Sequence, residues 1–264
     1  MAGALQRDAG GPGRPPRRAR GPGALRRVAG AASRLLYPAQ CVACGSFTEA
    51  AHHLCGPCWR DCRFIGGTIC DGCGTPLPGE AVLARELCDD CRAADFPWSR
   101  GRAAMVYRDT ARRLVLQLKH SDRTDLARAG GLWMSRAGRD LIGADTLLVP
   151  VPLHWSRLWR RRYNQAALLA QWLGVESGAE VAVDALVRPR RTISAAGRAA
   201  RFAALEGAIR PHPRRGAAMA GRPVVIVDDV MTSGATLTTA ALAATGAGAA
   251  SVDVLTLARA VRGA

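Results

Sequence analysis

The stretch from Val224 to Leu237 holds the residues of this chain best suited to chemistry. Its sequence is VVIVDDVMTSGATL, in which four apolar residues are followed by the adjacent carboxylates Asp228 and Asp229. Small hydroxyl residues and a glycine come next, in Thr232–Thr236, where a helical pattern begins. A turn of this kind exposes backbone N–H groups, which together with a helix N-terminus form a binding site for a phosphate dianion. The two carboxylates suit ribose hydroxyls, which donate hydrogen bonds, and a Mg²⁺ ion.

Two other interpretations fit part of the same pattern. An ordinary strand–loop–helix turn also uses small capping residues, and the strand acid of a P-loop nucleotide hydrolase also follows an apolar strand. The P-loop interpretation needs a Gly-x4-Gly-Lys-Ser/Thr loop. Lys119 is the only lysine of the chain and lies in LQLKHS, so that loop is absent. The pattern therefore favours the phosphate site.

All nine cysteines lie between Cys41 and Cys91, and eight of them form Cys-x2-Cys pairs. The candidate zinc ligands are Cys41, Cys44, Cys55, Cys58, Cys70, Cys73, Cys88 and Cys91. A two-residue spacer lets both sulfurs of a pair reach one tetrahedral zinc ion. Gly45 and Gly74 follow the first and third pairs, where glycine permits a tight knuckle.

The spacing of the pairs predicts two structural zinc ions. In this arrangement the first pair joins the second, and the third joins the fourth. A single site, or an interleaved pairing, also fits the spacing. Cys62 has no partner pair and is predicted to be a small buried residue.

Buried strands alternate with helices through the rest of the chain. Apolar runs predict strands at 103–107, 146–151, 223–227 and 252–257. Helical spacing of apolar residues predicts helices at 111–120, 126–141, 164–173 and 235–245. This alternation predicts an α/β fold, in which a parallel sheet is flanked by helices on both faces. Ligands bind at the carboxyl ends of strands in such sheets, so Asp228 and Asp229 are expected at the binding edge.

Composition limits the classes of protein and partner. The formal net charge of +16 favours phosphate-bearing partners such as nucleotides, sugar phosphates or nucleic acid. Residues 1–30 are rich in Gly, Pro, Ala and Arg, which predicts a disordered tail, either a solvated extension or a basic arm for nucleic acid. No apolar run reaches the roughly 18 residues of a membrane span, and no secretory apolar segment follows the N-terminus. We therefore expect a cytoplasmic protein without membrane insertion, divided into the tail (1–30), a cysteine-rich module (35–95) and an α/β domain (96–264).

Two sets of motifs resemble known families. VVIVDDVMTSGATL resembles the phosphoribosyl pyrophosphate (PRPP) motif of type I phosphoribosyltransferases. LLYPAQCVACG, VPVPLHWSRLWRRRYNQAALLA and TLAR, together with the cysteine pairs, resemble the ComF family of competence and GntX-like proteins from about Leu35 to Arg259. The resemblance implies a type I phosphoribosyltransferase-like, Rossmann-like sheet behind an N-terminal double zinc ribbon.

The resemblance also implies roles for particular residues. It places Asp228 and Asp229, as the catalytic acids, on the ribose hydroxyls. The implied 5′-phosphate loop consists of Val230, Met231, Thr232, Ser233, Gly234, Ala235 and Thr236. The implied pyrophosphate side consists of Arg161, Arg162, Asn164, Gln165 and Arg191. Arg162 and Tyr163 stand where the family has Gly and Phe, and the Gln expected in the flexible loop after Arg191 is missing.

Two functions follow from the resemblance. As an enzyme, the protein would bind Mg²⁺-PRPP and transfer the phosphoribosyl group to an unknown nitrogen acceptor. As a non-catalytic accessory of the DNA-uptake machinery, it would bind single-stranded DNA and use the phosphate site as a sensor. Trp155 and Trp159 lie among arginines and could stack on bases, although packing against the sheet is the expected arrangement. Lys119 matches a Leu-Lys-Tyr segment of the family, but is expected to be a surface lysine on a helix.

Overall fold

A five-stranded parallel sheet forms the centre of the computed structural model, which describes residues 38–79, 85–120, 123–190, 203, 205 and 207–261. The strands are β1 (Gly101–Val106), β2 (Leu147–Pro150), β3 (Glu180–Val181), β4 (Leu186–Val187), β5 (Arg210–Pro211), β6 (Pro223–Met231) and β7 (Ser251–Arg259). The sheet order is β1-β7-β6-β2-β3, and each neighbouring pair is parallel. The short strands β4 and β5 pair antiparallel, apart from this sheet. The strand that carries the acid pair, β6, is therefore the central one.

Helices cover both faces of the sheet. The described helices are α1 (Gly56–Asp61), α2 (Asp89–Arg92), α3 (Asp109–His120), α4 (Leu126–Ala137), α5 (Trp155–Arg161), α6 (Gln165–Ser177) and α7 (Ala235–Gly246), with a 3-10 helix at Gly216–Met219. Those that pack on the sheet are α3, α4 and α6 on one face and α7 on the other. Alternate residues of β6 enter two separate cores. Val225 and Val227 pack in the core that contains α3, α4 and α6, whereas Val224 and Ile226 pack in the core that contains α7. The predicted fold class, a parallel sheet with helices on both faces, is confirmed.

The central strand is longer than its apolar run predicts. We expected a strand that ends at Val227, but β6 continues through the two aspartates to Met231. The reason is its neighbour β7, which pairs with β6 as far as the partners Met231 and Arg259. Backbone pairing with an adjacent strand thus extends β6 past the point where its side chains stop being apolar.

Several expectations concern residues beyond this description. The predicted tail at residues 1–30 and the candidate Arg191 lie outside the described residues. Described residues from Ala39 onward belong to one compact unit, and the division of the chain at residues 95 and 96 stays a prediction. Within the described part of the chain, no helix combines the length and the apolar character needed to cross a bilayer.

Candidate functional site

The two adjacent carboxylates lie in the carboxyl-terminal half of β6. Asp229 is 8% exposed, and its Oδ1 is 3.1 Å from the Nζ of Lys119, which extends from α3. The expectation that Lys119 is an ordinary surface lysine is therefore wrong. Two signals in the sequence pointed to this residue: it is the single lysine of an arginine-rich chain, and it matches the Leu-Lys-Tyr segment of the family.

Asp228 has an unusual protonation equilibrium. Burial, and secondly the neighbouring Asp229 carboxylate, raise the pKa of Asp228 to about 7. The backbone N–H of Asp229 donates to Asp228 Oδ1 at 2.8 Å, and the charges of Lys119 and Arg188 also favour the ionised form, but together they only partly offset the rise. Any further cation that approaches this carboxyl group therefore stabilises its ionised form.

The loop after β6 leads into α7 through a left-handed glycine. Gly234 is the N-cap residue of α7, has φ of 83°, and offers no side chain to cap the helix. The helix ladder begins with the Thr238 N–H, which donates to Gly234 O at 2.8 Å. The N–H groups of Ala235, Thr236 and Leu237 thus have no acceptor within the helix. Thr232 in the preceding loop is exposed and Ser233 and Thr236 are half-buried, whereas Ala235 and Leu237 are buried.

Arg259, the last residue of β7, holds the base of this loop. Its Nη1 donates to the carbonyl oxygens of Met231 at 3.2 Å, Thr232 at 2.6 Å and Ala260 at 2.7 Å. The residue is nearly fully buried. Sequence analysis noted it only as the end of the TLAR motif and missed this contact, because the loop and β7 meet only in the folded sheet.

Two arginines belong to the charged surroundings of the acid pair. Burial lowers the pKa of Arg161, and attraction to Asp229 opposes that shift. Burial likewise lowers the pKa of Arg188, with Asp228 as the opposing charge. Arg161 Nη1 also donates to Oε1 of the buried Gln165 at 3.2 Å. The structure thus brings the predicted Arg161 and Gln165 into the surroundings of the acids, and adds Arg188, which sequence analysis missed.

Arg162 and Asn164, which were also predicted for the pyrophosphate side, lie at the ends of helices. Arg162 is exposed and ends α5 with φ of 66°. A left-handed backbone favours glycine, which explains why the family pattern has Gly there. Asn164 caps α6, since its Oδ1 accepts from the Ala166 N–H at 3.1 Å, and its Nδ2 donates to Val151 O at 3.0 Å. Contact of either residue with a ligand stays a prediction.

Helix α5 presents its aromatic side chains to solvent. Trp155 is 69% exposed and Trp159 is 88% exposed, and none of the residues of α5 is buried. The expectation that these tryptophans pack against the sheet is wrong. The helix follows β2 in sequence, and its basic residues include Arg157, Arg160 and Arg161.

The eight paired cysteines form two groups of four. The first group contains the first and second pairs, the second group contains the third and fourth, and the sulfurs within each group lie within 4.8 Å of one another. Cys44 and Cys55 have a sulfur separation of 3.6 Å, and Cys73 and Cys88 one of 3.7 Å. Four zinc–sulfur bonds of about 2.3 Å in a tetrahedron place sulfurs about 3.8 Å apart, so both groups fit structural zinc sites.

The remaining residues of the cysteine region agree with this arrangement. Gly45 and Gly74 have φ of 79° and 70°, the left-handed conformation expected in the two knuckles. Cys62 belongs to neither group. It is buried with its sulfur 3.6 Å from the sulfur of Met105, which fits the small buried residue that was predicted.

The sheet, the strand–loop–helix at its centre and the cysteine groups define a class of protein. It is an α/β protein with a parallel five-stranded sheet and an N-terminal zinc-binding module. A family model for the double zinc ribbon domain matches residues 32–92.

Sequence comparison then assigns the family. The chain is 31% identical over 233 residues to the DNA utilization protein YhgH of Escherichia coli O157:H7, covering 85% of this chain and 99% of that protein. It is 32% identical, with the same coverage, to YhgH of E. coli strain K12. Identity to competence protein F of Haemophilus influenzae is 27%, over 75% of this chain and 87% of that protein. The chain belongs to the ComF family, together with the YhgH DNA utilization proteins.

A solved structure aligns with part of this chain. It is described as the allosteric regulatory enzyme of purine biosynthesis, and it aligns at 19% identity with a TM-score of 0.36. The alignment covers 54% of this chain but 30% of that enzyme.

Proposed function

We propose that this protein binds PRPP, or a related ribose phosphate, at the carboxyl end of β6. Backbone N–H groups at the start of α7, which have no acceptor within the helix, receive the 5′-phosphate, and Asp228 and Asp229 accept hydrogen bonds from the ribose hydroxyls. The observation that carries this proposal is the position of uncapped helix donors directly after two adjacent carboxylates on the central strand. Anions bind well at such helix ends because the donors and the helix dipole act together.

Mg²⁺ accompanies the ligand in this proposal. The carboxylates of Asp228 and Asp229 and the phosphates of the ligand suit this ion, because Mg²⁺ prefers carboxylate and phosphate oxygens. The state of Asp228 gives an independent reason: a carboxyl group whose pKa is raised to about 7 by burial and by Asp229 becomes easier to ionise beside a divalent cation. When bound, the ion neutralises charge on the pyrophosphate group as it leaves.

The proposed reaction is phosphoribosyl transfer. A nitrogen atom of the acceptor forms a bond to the anomeric carbon, the bond from that carbon to pyrophosphate breaks, and the acceptor nitrogen loses its proton. The ribose passes through a state with positive charge, which the two carboxylates stabilise, while Arg161 and Arg188 face the negative charge of pyrophosphate. The residues of the site therefore position the substrate and neutralise charge.

Calorimetry with Mg²⁺ and PRPP tests the binding site. The double change Asp228→Asn and Asp229→Asn is expected to abolish binding, because amides lack the charge that attracts the cation and donate hydrogen bonds where acceptors are needed. The matched control is the double change Glu180→Gln and Asp184→Asn. It removes two exposed acids: Glu180 pairs with Arg222, and Asp184 pairs with Arg215. Unchanged affinity in the acid-pair variant would refute the assignment of the ribose site to Asp228 and Asp229.

Release of pyrophosphate tests the transfer reaction. It is screened with purines, pyrimidines and oligonucleotides as acceptors.

A second candidate function is the binding of single-stranded DNA through α5. Two exposed tryptophans one helical turn apart, set among arginines, combine surfaces for base stacking with phosphate contacts. Several relatives are named for DNA utilization and one for competence, which is consistent with this candidate. In this function the PRPP site serves as a sensor.

The double change Trp155→Ala and Trp159→Ala tests that surface. Stacking on an aromatic ring contributes about 1–3 kcal/mol per base, so affinity for an oligothymidine is expected to fall at least about fivefold. The control replaces exposed aliphatic residues elsewhere, through Val175→Ala and Leu242→Ala. Binding should weaken steeply with salt in the wild type and persist in the acid-pair variant. Equal affinity in the tryptophan variant and the control would rule out α5 as the DNA surface.

A further inference from the structure

The second cysteine group lies unusually close to the sheet. Its knuckle, Cys70–Gly74, meets the start of β1, where the Gly101 N–H donates to Asp71 O at 2.7 Å. A Cβ atom added to Gly101 would lie only 2.6 Å from Gly72 O, and one added to Gly74 would lie only 2.8 Å from the backbone nitrogen of Ala103. Backbone therefore touches backbone on both sides, which leaves little freedom for this knuckle to move relative to β1.

Trp98 connects the knuckle to the phosphate loop. Its indole N–H donates to Gly72 O at 2.7 Å, and its ring stacks on Phe96 with ring centres 4.3 Å apart. The two rings approach the N-cap of α7: a Cβ on Gly234 would lie 3.0 Å from Phe96 and 3.3 Å from Trp98. The stacked pair thus lies between the second cysteine group and the glycine that begins the phosphate-binding helix.

Arg259 provides a second connection. Its guanidinium holds the carbonyl oxygens of Met231 and Thr232 at the base of the loop. The same residue lines a surface cleft together with Thr75 and Cys88 of the second cysteine region. The contact through Trp98 therefore joins this region to the start of α7, and Arg259 lies across a cleft from the region at the other end of the loop.

The first cysteine group has different surroundings. Cys41 and Cys58 pack in the core shared with α3, α4 and α6, which also contains Trp133. Cys70, Cys73, Cys91 and Trp98 pack in the core that contains Met231 and the apolar face of α7. The two groups, alike in ligand set, thus support opposite faces of the sheet.

We infer that the second cysteine group is a positioning element for the phosphate site, acting through Trp98 and Phe96 on Gly234. This role rests on the proposed function insofar as it concerns ligand affinity, but its effect on the loop itself is independent of any ligand. The first cysteine group has no such role. Loss of order in the second group therefore loosens the start of α7 and weakens binding of the ribose phosphate.

Trp98→Phe tests this inference because it retains a stacked ring and removes the hydrogen bond to Gly72. Amide hydrogen exchange, measured without ligand, follows two N–H groups at the loop: Thr238, bonded to Gly234 O, and Ala260, bonded to Met231 O. Both are expected to exchange about fivefold faster in the variant, the effect of losing one ordinary hydrogen bond. PRPP affinity is expected to fall by a similar factor, while the zinc content stays at that of the wild type.

The matched control is Trp133→Phe. Trp133 and Trp98 are each 7% exposed, but Trp133 packs in the core of the first group. This variant is expected to leave exchange at Thr238 and Ala260, and PRPP affinity, at their wild-type values. If Trp98→Phe does not fold, Phe96→Leu replaces it, since it removes the stacked ring and leaves the Trp98 hydrogen bond in place.

The outcomes separate this inference from the proposed function. Unchanged exchange at both amides in the Trp98 or Phe96 variant would overturn the positioning role, and so would an equal acceleration in Trp133→Phe. If the wild type fails to bind PRPP but the Trp98 variant still accelerates exchange, the proposed ligand is wrong and the positioning role stands.

Discussion

Asp228 illustrates how a residue proposed to bind a ligand lowers the stability of the fold that holds it. In the folded chain its pKa is about 7, against 3.8 for an exposed aspartate. Each pKa unit corresponds to about 1.4 kcal/mol, so at neutral pH the ionised side chain costs the folded state up to about 4 kcal/mol. Because the folded pKa is raised, the free energy of unfolding falls as the pH rises from about 4 to about 7 and then levels off.

Asp228→Asn should therefore stabilise the protein, although it removes a proposed ligand contact. At pH 8 we expect a free energy of unfolding about 2–4 kcal/mol above that of the wild type, and near pH 4 little difference. Urea unfolding at both pH values measures this. Asp184→Asn, which loses only an exposed ion pair with Arg215, should change stability by less than about 1 kcal/mol at either pH. An equal increase in the free energy of unfolding at both pH values would contradict the assignment of this pH dependence to Asp228.

At the scale of elements, α5 shows that an apolar helical spacing does not by itself mark a buried face. Trp155, Leu158 and Trp159 have the spacing of an apolar helix face, yet none of the seven residues of the helix is buried. Local contacts define it instead: the Ser156 N–H donates to His154 Nδ1 at 3.3 Å, and Arg162 ends it in the left-handed conformation. The exposure of this face makes its tryptophans available to a partner.

The cysteine region depends on metal at this same scale. Its helices α1 and α2 have six and four residues, far below the about 12 that an isolated helix needs to be stable in water. Elemental analysis should find close to two zinc ions per chain, and Cys55→Ser or Cys88→Ser should each lower that number by about one. Cys62→Ser should retain both ions. Chelation should unfold the region, and a chelated protein with an unchanged circular dichroism spectrum would contradict this dependence.

For the whole molecule, the alternation of strands and helices predicted the fold class but not the sheet order. Nothing in the residues of β1 and β7 indicates that the first and last strands of the sheet domain are neighbours. That order follows from the packing of two apolar faces at once, with α3, α4 and α6 on one side and α7 on the other. It also places β6 in the middle of the sheet, where β7 continues to pair with it alongside the acid pair.

The sequence alone determined the features made by residues close together in the chain. They include the knuckles with their glycines, the strand that leads to Asp228 and Asp229, and the small-residue turn before α7. These depend on local backbone conformation and on the chemistry of adjacent side chains.

Tertiary structure alone decided the contacts between distant segments: Lys119 with Asp229, Arg259 with the loop at Thr232, and Trp98 with Gly72. Such pairs form only when separate elements pack against one sheet. Their geometry depends on the whole core, and no single segment of the sequence carries it.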